Sequence, residues 1–520
     1  MSNRKSENSQ ASFQSRRNLL KLGTCGAMTN ATFLSTLMHL KMTNALLATQ
    51  QVTPPGGYKA LVCLFFQGAI DSFNVLAPYG TTQGDTQYQQ YAAIRGGAAL
   101  KRSVAWDSTW PGVDYGYMNP ILDSHTGRTF GLHPRFNYLK QIYDAGHATI
   151  CANTGALVEP LIDLQGRVNN DGFNNTAKIK PIGLYSHADQ QRHWQTAVPT
   201  SRNEVRGWGG RMMDLLTDDA ATSKASNVYA TISTAGQSFL LSGNRILPYT
   251  ISSQNNGAVL LDSFGEPPTA APNNAIDRMV RSVYTDMASQ TYANILEKTI
   301  RNETIFSKDA ALAYQGAYNA VTLPTTSVPF GTSGLGGSLA SVATAIKVAQ
   351  LPNAPLNQKR QIFLVQVGGW DHHAGLLDRQ DEMIPGVDAG LKAFYDFLVA
   401  SGLLSSVTLF SISDFSRTLS FNGSGTDHAW GANTMVMGGA VRGGRIYGNY
   451  PDFATDINTS STGLDRGRGV LIPTTSSDQY HAEMCEWFGM PNNSFMVDVL
   501  PNIREFYSAG GSHPLGFLNY

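Results

Sequence analysis

Residues 60–67 read ALVCLFFQ, a continuous apolar run with the length of one strand. Apolar residues without alternation are typical of a strand that is covered on both faces, as in a parallel sheet flanked by helices. Further apolar runs of this kind, with helical patterns between them, predict an α/β fold with a doubly wound, mostly parallel sheet and helices on both faces. The further runs are 148–152, 362–367 (IFLVQV) and 407–412 (VTLFSI), and the helical patterns are 134–145 and 386–400.

The charge of the chain is unevenly distributed. The 520 residues hold 38 Lys and Arg against 38 Asp and Glu, but the first 48 residues contain six of the basic side chains and one of the acidic ones. The remainder therefore has 32 basic and 37 acidic groups, a net charge of −5. Because binding to phosphate backbones needs clustered Lys and Arg, this acidic body argues against a nucleic-acid partner. Any anionic substrate would need a local site.

The amino terminus has the features of a twin-arginine export signal. Arg16 and Arg17 are followed by Leu-Leu-Lys and by a weakly apolar stretch, 22–40, that contains glycine, threonine and asparagine. A membrane anchor is the alternative, but His39 and the small polar residues interrupt the run short of the ~20 apolar residues that a span needs. We therefore predict a signal peptide over 1–48, the twin-arginine translocase as a partner during export, no stable transmembrane anchor, and a periplasmic or secreted location.

The remaining chain is predicted to form one α/β domain over 58–510, with an insertion or cap over 220–350. The insertion is rich in small and polar residues, with one helical pattern at 274–308 and a Gly/Ser-rich stretch at 330–339. Only three of the four cysteines lie beyond the signal, at wide spacings. This pattern indicates neither a disulfide framework nor a zinc-finger site.

Side chains that bind metals follow three of the apolar runs. In an open α/β sheet the ligand site lies outside the carboxyl ends of the strands, so these positions are candidates for function. Asp71 follows the first run, although a helix-capping aspartate is an equally good interpretation. Asp371 and His373 follow 362–367 behind two glycines, and a carboxylate and an imidazole two residues apart suit a divalent metal.

The run 407–412 leads to a second group of candidates. Asp414 follows the run and is predicted to be a metal ligand, and Arg417 is a candidate to hold an anionic oxygen in bidentate fashion. After a glycine-rich turn, Asp427 and His428 offer further ligands for a metal. The alternative is that Asp427 and His428 only stabilise the glycine loop.

Ser186 and His187 stand ahead of a predicted helix. Free amides at a helix N-terminus stabilise an anion near the serine hydroxyl, so a metal-activated serine nucleophile is one interpretation and a plain helix cap is another. A metal-free serine hydrolase that uses Ser186 with His187 is a third interpretation. Adjacent residues rarely project into one site, however, and no Gly-x-Ser-x-Gly elbow surrounds Ser186.

Taken together, these segments resemble the bacterial exported family called domain of unknown function 1501 (DUF1501). The resemblance runs in order over residues 58–450. That family is grouped with the alkaline phosphatase and sulfatase superfamily, which implies a metal site assembled from scattered strand ends. Besides the export signal, the motifs are Asp71, Gly-Leu-His133-Pro134, Ser186-His187-x-Asp189-x-Gln191, Gly207-Trp208-x-Gly210-Arg211, Gly369-Trp370-Asp371-x-His373, Asp414-Phe415-x-Arg417-Thr418 and Gly425-Thr426-Asp427-His428.

The resemblance implies an exported, metal-dependent hydrolase of phosphate or sulfate esters, with a small-molecule or glycan ester as substrate. Ser186 would be the nucleophile, with His187 and Arg417 as further catalytic residues. Two divalent ions are implied, with Zn, Mg, Ca and Mn as candidates. One would be bound by Asp371, His373 and His428, with Asp427 beside them, and the other by Asp71, Ser186 and Asp414.

Two departures from the superfamily pattern leave an alternative open. Asp414 is followed by Phe415, where the phosphatases usually have a histidine, and the chain has no sulfatase-type Cys/Ser-x-Pro-x-Arg motif. The absence of the sulfatase-type motif argues against a formylglycine sulfatase. Because a fold does not imply an activity, the alternative is a non-catalytic exported surface or binding protein that retains the alkaline phosphatase-like fold.

Overall fold

A computed structural model of the chain describes residues 56–107, 115–161, 173, 176–216, 228–258, 275–352, 356–453, 457, 463–492, 494–507 and 515–520. The predicted signal peptide, 1–48, lies outside these ranges. The strands are β1 (Lys59–Phe66), β2 (Leu76–Pro78), β3 (Asn119–Leu122), β4 (Thr129–Leu132), β5 (Ala148–Gly155), β6 (Thr231–Ser233), β7 (Tyr249–Thr250), β8 (Arg360–Val367), β9 (Val407–Ser413), β10 (Ala432–Met437), β11 (Ile446–Tyr447) and β12 (Thr475–Ser476). The α-helices are α1 (Ser72–Val75), α2 (Thr86–Arg95), α3 (Val104–Asp107), α4 (Asn137–Asp144), α5 (His187–Thr196), α6 (Trp208–Leu216), α7 (Ala275–Ser289), α8 (Ile295–Ala320), α9 (Gly334–Ala349), α10 (Leu376–Ala400), α11 (Ser477–Phe488) and α12 (Ser494–Val499).

The main sheet has β1 near its centre. Within the described ranges its strand order is β11-β5-β10-β9-β1-β8-β6-β7, and β12 pairs with β5. β1 pairs in parallel with β8 on one side and with β9 on the other, whereas β10 runs antiparallel to both β9 and β5. A separate small antiparallel sheet has the order β2-β4-β3. The predicted α/β fold with a mostly parallel sheet is confirmed.

Alternate residues of β1 enter two different hydrophobic cores. Val62 and Leu64 belong to the core that α9 and α10 cover, while Leu61 and Cys63 belong to the core that α6 and α11 cover. All four side chains are completely buried. Because helices cover both faces of the sheet, the positions from Ala60 to Phe66 are all buried, which explains the unbroken apolar run.

Several helices differ from the sequence patterns. α10 begins at Leu376 rather than near 386, and Pro385 lies inside the helix. The pattern at 274–308 corresponds to two helices, α7 and α8. The Gly/Ser-rich stretch 330–339 contains the first residues of α9.

The segment 220–350 contributes to the main sheet. Its two short strands, β6 and β7, extend the sheet beyond β8. Its helix α9 packs against the hydrophobic core that contains Val62 and Leu64. Among the helices that the structure describes, none combines the length and the apolar character needed to span a bilayer.

Candidate metal centre

Three adjacent strands end at one edge of the sheet and carry candidate ligands. Asp71 follows β1, Asp371 and His373 follow β8, and Asp414 follows β9. His428 comes just before β10, and because β10 is antiparallel to β9, it begins at the edge where β9 ends. The antiparallel direction of β10 therefore places His428 at the edge of the sheet where the parallel strands place their candidate ligands.

Four side chains converge there, and we call His187, Asp371, His373 and His428 the histidine cluster. The Nε2 atom of His428 lies 3.1 Å from Nε2 of His187 and 3.0 Å from Nε2 of His373. Oxygens of the Asp371 carboxylate lie 3.5 Å from Nε2 of His187, 3.1 Å from that of His373 and 3.4 Å from that of His428. Ligand atoms of His187, Asp371 and His428 all lie within 4.8 Å of one another.

The other ring nitrogen of each histidine faces an acceptor. Nδ1 of His187 lies 2.5 Å from a carboxylate oxygen of Asp414, and Nδ1 of His428 lies 2.7 Å from the carbonyl oxygen of Tyr185. Nδ1 of His373 lies 3.2 Å from a carboxylate oxygen of Asp427. A carbonyl or an ionised carboxylate can only accept a hydrogen bond, so Nδ1 is the donor in each contact. In the neutral form of each ring, Nε2 then points its lone pair into the cluster.

This donor set fits a divalent cation. Two ligand atoms at tetrahedral positions around zinc, each ~2.0–2.1 Å from it, are about 3.3 Å apart. The Nε2 atoms of His187 and His428 are 3.1 Å apart, close to that spacing, while one oxygen of Asp371 lies 3.4 Å from His428 and its other oxygen lies 3.5 Å from His187. Hydrogen bonds from Nδ1 to carboxylates and carbonyls are the usual outer partners of metal-binding histidines. The structure thus contains a His/Asp group that could hold a divalent metal ion.

Positive charges lower the pKa of Asp371 in the cluster and of Asp427 beside it. Partial burial raises the pKa of Asp371, but the hydrogen bond and the positive charge of Arg417 outweigh burial and hold this pKa below its usual value. The hydrogen bond from Arg468 holds the pKa of Asp427 low in the same way. The hydrogen bond to Asp414 raises the pKa of His187, whereas burial lowers the pKa of His428.

Arg417 contacts the cluster from its buried side. Its guanidinium is completely buried and donates to a carboxylate oxygen of Asp371 and to both oxygens of Thr426. The sequence suggested that Arg417 holds an anionic oxygen of the substrate. In the structure its hydrogen bonds orient Asp371 instead.

A glycine permits the loop before β10 to approach the loop after β8. A Cβ atom on Gly425 would lie 2.3 Å from the carbonyl carbon of His373 and 2.4 Å from the carbonyl oxygen of His372. No side chain fits in that space, so only glycine allows His428 to come within reach of His373.

Strained backbone flanks the cluster. Ala69, Tyr185 and Arg468 have φ angles of 69°, 70° and 62°, in the left-handed region that residues with a Cβ rarely adopt. Tyr185 supplies the carbonyl that fixes His428, and Arg468 binds Asp427. Such strain is common at functional sites, where the surrounding structure maintains it.

Ser186 is the N-cap of α5. Its hydroxyl accepts a hydrogen bond from the backbone N–H of Asp189 at 3.4 Å. The next residue is the cluster member His187, whose two ring nitrogens are engaged by Asp414 and by the other cluster members. The pairing of Ser186 with His187 that a metal-free serine hydrolase needs is therefore not formed.

The remaining predicted ligands lie around the cluster. Asp414 is completely buried, and one of its carboxylate oxygens faces His187, Gln191 and the N–H of Gly68. Asp427 reaches the cluster through His373. The carboxylate of Asp71 binds Arg95 at 2.6 Å.

Sequence reasoning did not identify Arg95 or the structural role of Gln191. Arg95 ends the helix α2, a segment without a recognisable motif, and no signal in the sequence relates it to Asp71. Gln191 belongs to the motif Ser186-His187-x-Asp189-x-Gln191, so its position could have indicated a role. One helical turn separates it from His187, which places both side chains on one face of α5 against Asp414.

Comparison with known proteins gives a partial family match and distant structural similarity. The profile of a family described as "Protein of unknown function (DUF1501)" matches residues 355–465, which include Asp371, His373, Asp414, Asp427 and His428. No protein with curated function matches the sequence.

Solved structures resemble the chain only weakly. A sulfatase from Pseudoalteromonas sp. is 9% identical, with a TM-score of 0.30, over 86% of this chain and 76% of the sulfatase. The alkaline phosphatase from the Antarctic bacterium TAB5 is 11% identical, with a TM-score of 0.23, over 75% of this chain and 91% of the phosphatase. A mutant of the TAB5 phosphatase with Mg bound is 12% identical, with a TM-score of 0.23, over 75% of this chain and 91% of the mutant.

Proposed function

We propose that this protein is an exported DUF1501 member that binds a transition metal ion in the histidine cluster and hydrolyses phosphate or sulfate esters. The observation that carries the proposal is the orientation of the three imidazoles, whose Nε2 atoms face one another while acceptors hold each Nδ1 proton outside. In neutral rings the lone pairs at 3.0–3.1 Å repel unless a proton or a metal ion lies between them, and a metal ion can satisfy all of them together. His187, Asp371 and His428 are the proposed ligands, and His373 lies beside them with its Nε2 atom 3.0 Å from that of His428.

The donor types favour zinc among the candidate ions. Imidazole nitrogen suits zinc and neighbouring transition metals, whereas Mg and Ca prefer shells of oxygen. Three of the four cluster members are histidines, so an oxygen-preferring ion would have only Asp371. When bound, the ion would neutralise charge on the ester oxygens and lower the pKa of a nearby hydroxyl.

Residues of the chain would then prepare the substrate for attack. Ser186 is the proposed nucleophile, since it caps a helix of ten residues whose first N–H groups favour an anion. Arg417 and Asp414 hold Asp371 and His187 in place from the buried side. Both are positioning residues in this scheme.

Comparison of Ser186→Ala with the wild-type protein tests the enzyme hypothesis. Aryl phosphate and aryl sulfate esters serve as substrates, and bound metal is counted in the same samples. We expect Ser186→Ala to lose hydrolysis and to keep its metal. Loss of the N-cap alone costs about 1 kcal/mol. Asn294→Ala, which removes the side-chain cap of α8, therefore controls for stability. A metal-free wild-type protein, or full activity in Ser186→Ala, would contradict the proposal.

One observation favours the second candidate, an exported binding protein without catalysis. Arg417, expected to hold the substrate anion, is fully buried and engaged by Asp371 and Thr426. A wild-type protein that binds metal but turns over neither ester class would support this candidate.

Export through the twin-arginine route is the remaining part of the proposal, and it is supported by the motif at Arg16 and Arg17. Replacing both arginines by lysine keeps the charge but removes the pair that the translocase reads. We expect the variant to stay in the cytoplasmic fraction, and export of the variant at the wild-type level would contradict this route.

A further inference from the structure

A second cation site next to the histidine cluster does not fit the side chains that were expected to form it. Those side chains are Asp71, Ser186 and Asp414. Ser186 caps α5, and one oxygen of Asp414 faces His187, Gln191 and a backbone N–H. Asp71, at the end of the central strand β1, is bound by a guanidinium.

Arg95 holds Asp71 inside the protein. Its Nη2 lies 2.6 Å from a carboxylate oxygen of Asp71, and both side chains are completely buried. Its Nη1 donates to the carbonyl oxygens of Thr418 at 3.1 Å and Leu419 at 3.3 Å. These carbonyls belong to the segment that follows β9 and includes Arg417. Arg95 is thus anchored on one side by Asp71 and on the other by the loop of the metal centre.

A buried carboxylate needs a compensating positive charge. In a two-ion site the second ion would supply that charge to Asp71. We infer that Arg95 supplies it here, so the centre binds one ion in the histidine cluster and uses a fixed guanidinium in place of the second ion. This inference rests on the proposed metal centre and deepens it.

The carboxylates of Asp71 and Asp414 each keep one oxygen that a second ion could use. The Oδ1 atoms of Asp71 and Asp414 are buried and have no hydrogen-bond partner among the described residues. A count of bound ions separates a single-ion centre from one that uses these oxygens for a second ion.

The first experiment counts ions in the full chain and in Asp71→Asn. The protein is stripped of metal with a chelator, reloaded with excess zinc and desalted. Elemental mass spectrometry then counts the bound ions, and titration calorimetry measures the zinc affinity. We expect one ion per chain in both proteins and no loss of zinc affinity in Asp71→Asn. Two ions in the wild type, with one lost in Asp71→Asn, would overturn the inference.

The second experiment removes the guanidinium. Arg95→Met leaves Asp71 without its partner, and we expect this variant to take up a second ion. Arg95→Lys, which keeps a positive charge, is the matched control and should stay at one ion. A folded Arg95→Met that still holds one ion would overturn the role of Arg95.

A double variant covers the case in which Arg95→Met does not fold. Asp71→Asn with Arg95→Met removes both buried charges, so we expect it to fold more stably than Arg95→Met and to bind one ion. A second ion in this double variant would overturn the inference, because Asp71 could not be its ligand. A wild-type protein without any bound ion would instead overturn the proposed function.

Discussion

At the scale of single residues, the proposed binding of a metal ion would depend on which nitrogen of each histidine carries the proton. Asp414, Asp427 and the carbonyl of Tyr185 all accept hydrogen bonds and so fix the tautomers from outside the cluster. An isolated histidine would exchange between its two tautomers, and the tautomer with its proton on Nε2 cannot bind a metal through that nitrogen. The outer acceptors therefore matter nearly as much as the ligands.

Asp414→Asn tests this outer layer. The neutral amide accepts the hydrogen bond of His187 more weakly, so we expect zinc affinity to fall about 10–100-fold. Competition with a chelating dye measures the affinity. Asp396→Asn, which removes a carboxylate paired with Lys392 on α10, is the control and should bind as the wild type does. Loss of a whole ion in Asp414→Asn would instead make Asp414 a ligand.

The sequence indicated the types of ligand but not every role. Asp371 and His373 are two residues apart after an apolar run, so their proximity was readable. His187 lies 241 residues from His428, and only the folded sheet brings their rings together. The position of His187 beside Ser186 suggested a catalytic role, whereas in the structure its ring nitrogens contact Asp414 and the other members of the cluster. Arg95 could not be found because it pairs with Asp71 through the tertiary fold alone.

At the scale of elements, close backbone contacts shape the centre. We expect Gly425→Ala to push the loop before β10 away from His373, because its Cβ has no space. The free energy of unfolding should fall by about 1–3 kcal/mol, and zinc affinity should fall with it. Denaturant unfolding and metal titration measure the two effects.

Gly386→Ala is the matched control for Gly425→Ala. It lies within α10, and nothing stands within 4 Å of the added Cβ. Alanine in a helix is favoured over glycine by about 0.5–1 kcal/mol, so this variant should be slightly stabilised with unchanged zinc affinity. Equal behaviour of the two variants would contradict the steric argument.

A buried carboxylate joins two helices and predicts a dependence of stability on pH. Asp388 in α10 accepts hydrogen bonds from the backbone N–H groups of Tyr138 and Leu139 at the start of α4. Burial raises its pKa from 3.8 to about 6, although the N–H donors oppose the shift. The folded protein therefore binds this proton more tightly than the unfolded chain. Between the two values unfolding releases a proton, so stability decreases as pH rises through this window.

Asp388→Asn should remove this contribution. An amide does not titrate, yet its oxygen can still accept from the start of α4. We expect the free energy of unfolding of the wild type to fall by roughly 2 kcal/mol between pH 4 and pH 6 relative to the variant. Denaturant titrations at a series of pH values measure the difference. Parallel pH profiles in the two proteins would contradict the assignment.

Elements were predictable where one type of pattern dominates. The apolar runs at β1, β8 and β9 were found within a few residues because burial on both faces leaves a plain signal. The start of α10 was missed because the apolar pattern was recognised only from 386 onward, whereas the helix begins at Leu376 and continues through Pro385. The strands β6 and β7 are three and two residues long, too short for any periodicity to show.

At the scale of the whole molecule, an ion in the cluster would tie α5, the β8 loop and the β10 loop together. A ligand that binds only the folded chain stabilises it by about 4 kcal/mol at a free concentration 1,000 times its Kd. We expect a chelator to lower the midpoint of thermal unfolding and zinc to restore it. His428→Ala should show a low midpoint that no longer responds to either addition. An equal response in both proteins would contradict binding at the cluster.

The order in which the chain is made gives the sheet topology a consequence for biosynthesis. A ribosome releases His187 first and His428 last among the cluster members, with β8, β9 and the long α10 between them. His187 must wait until the reversed strand β10 has formed before its ring meets His428. A nascent chain shorter than about 430 residues therefore lacks the complete shell. The complete set of proposed ligands would therefore be present only late in synthesis.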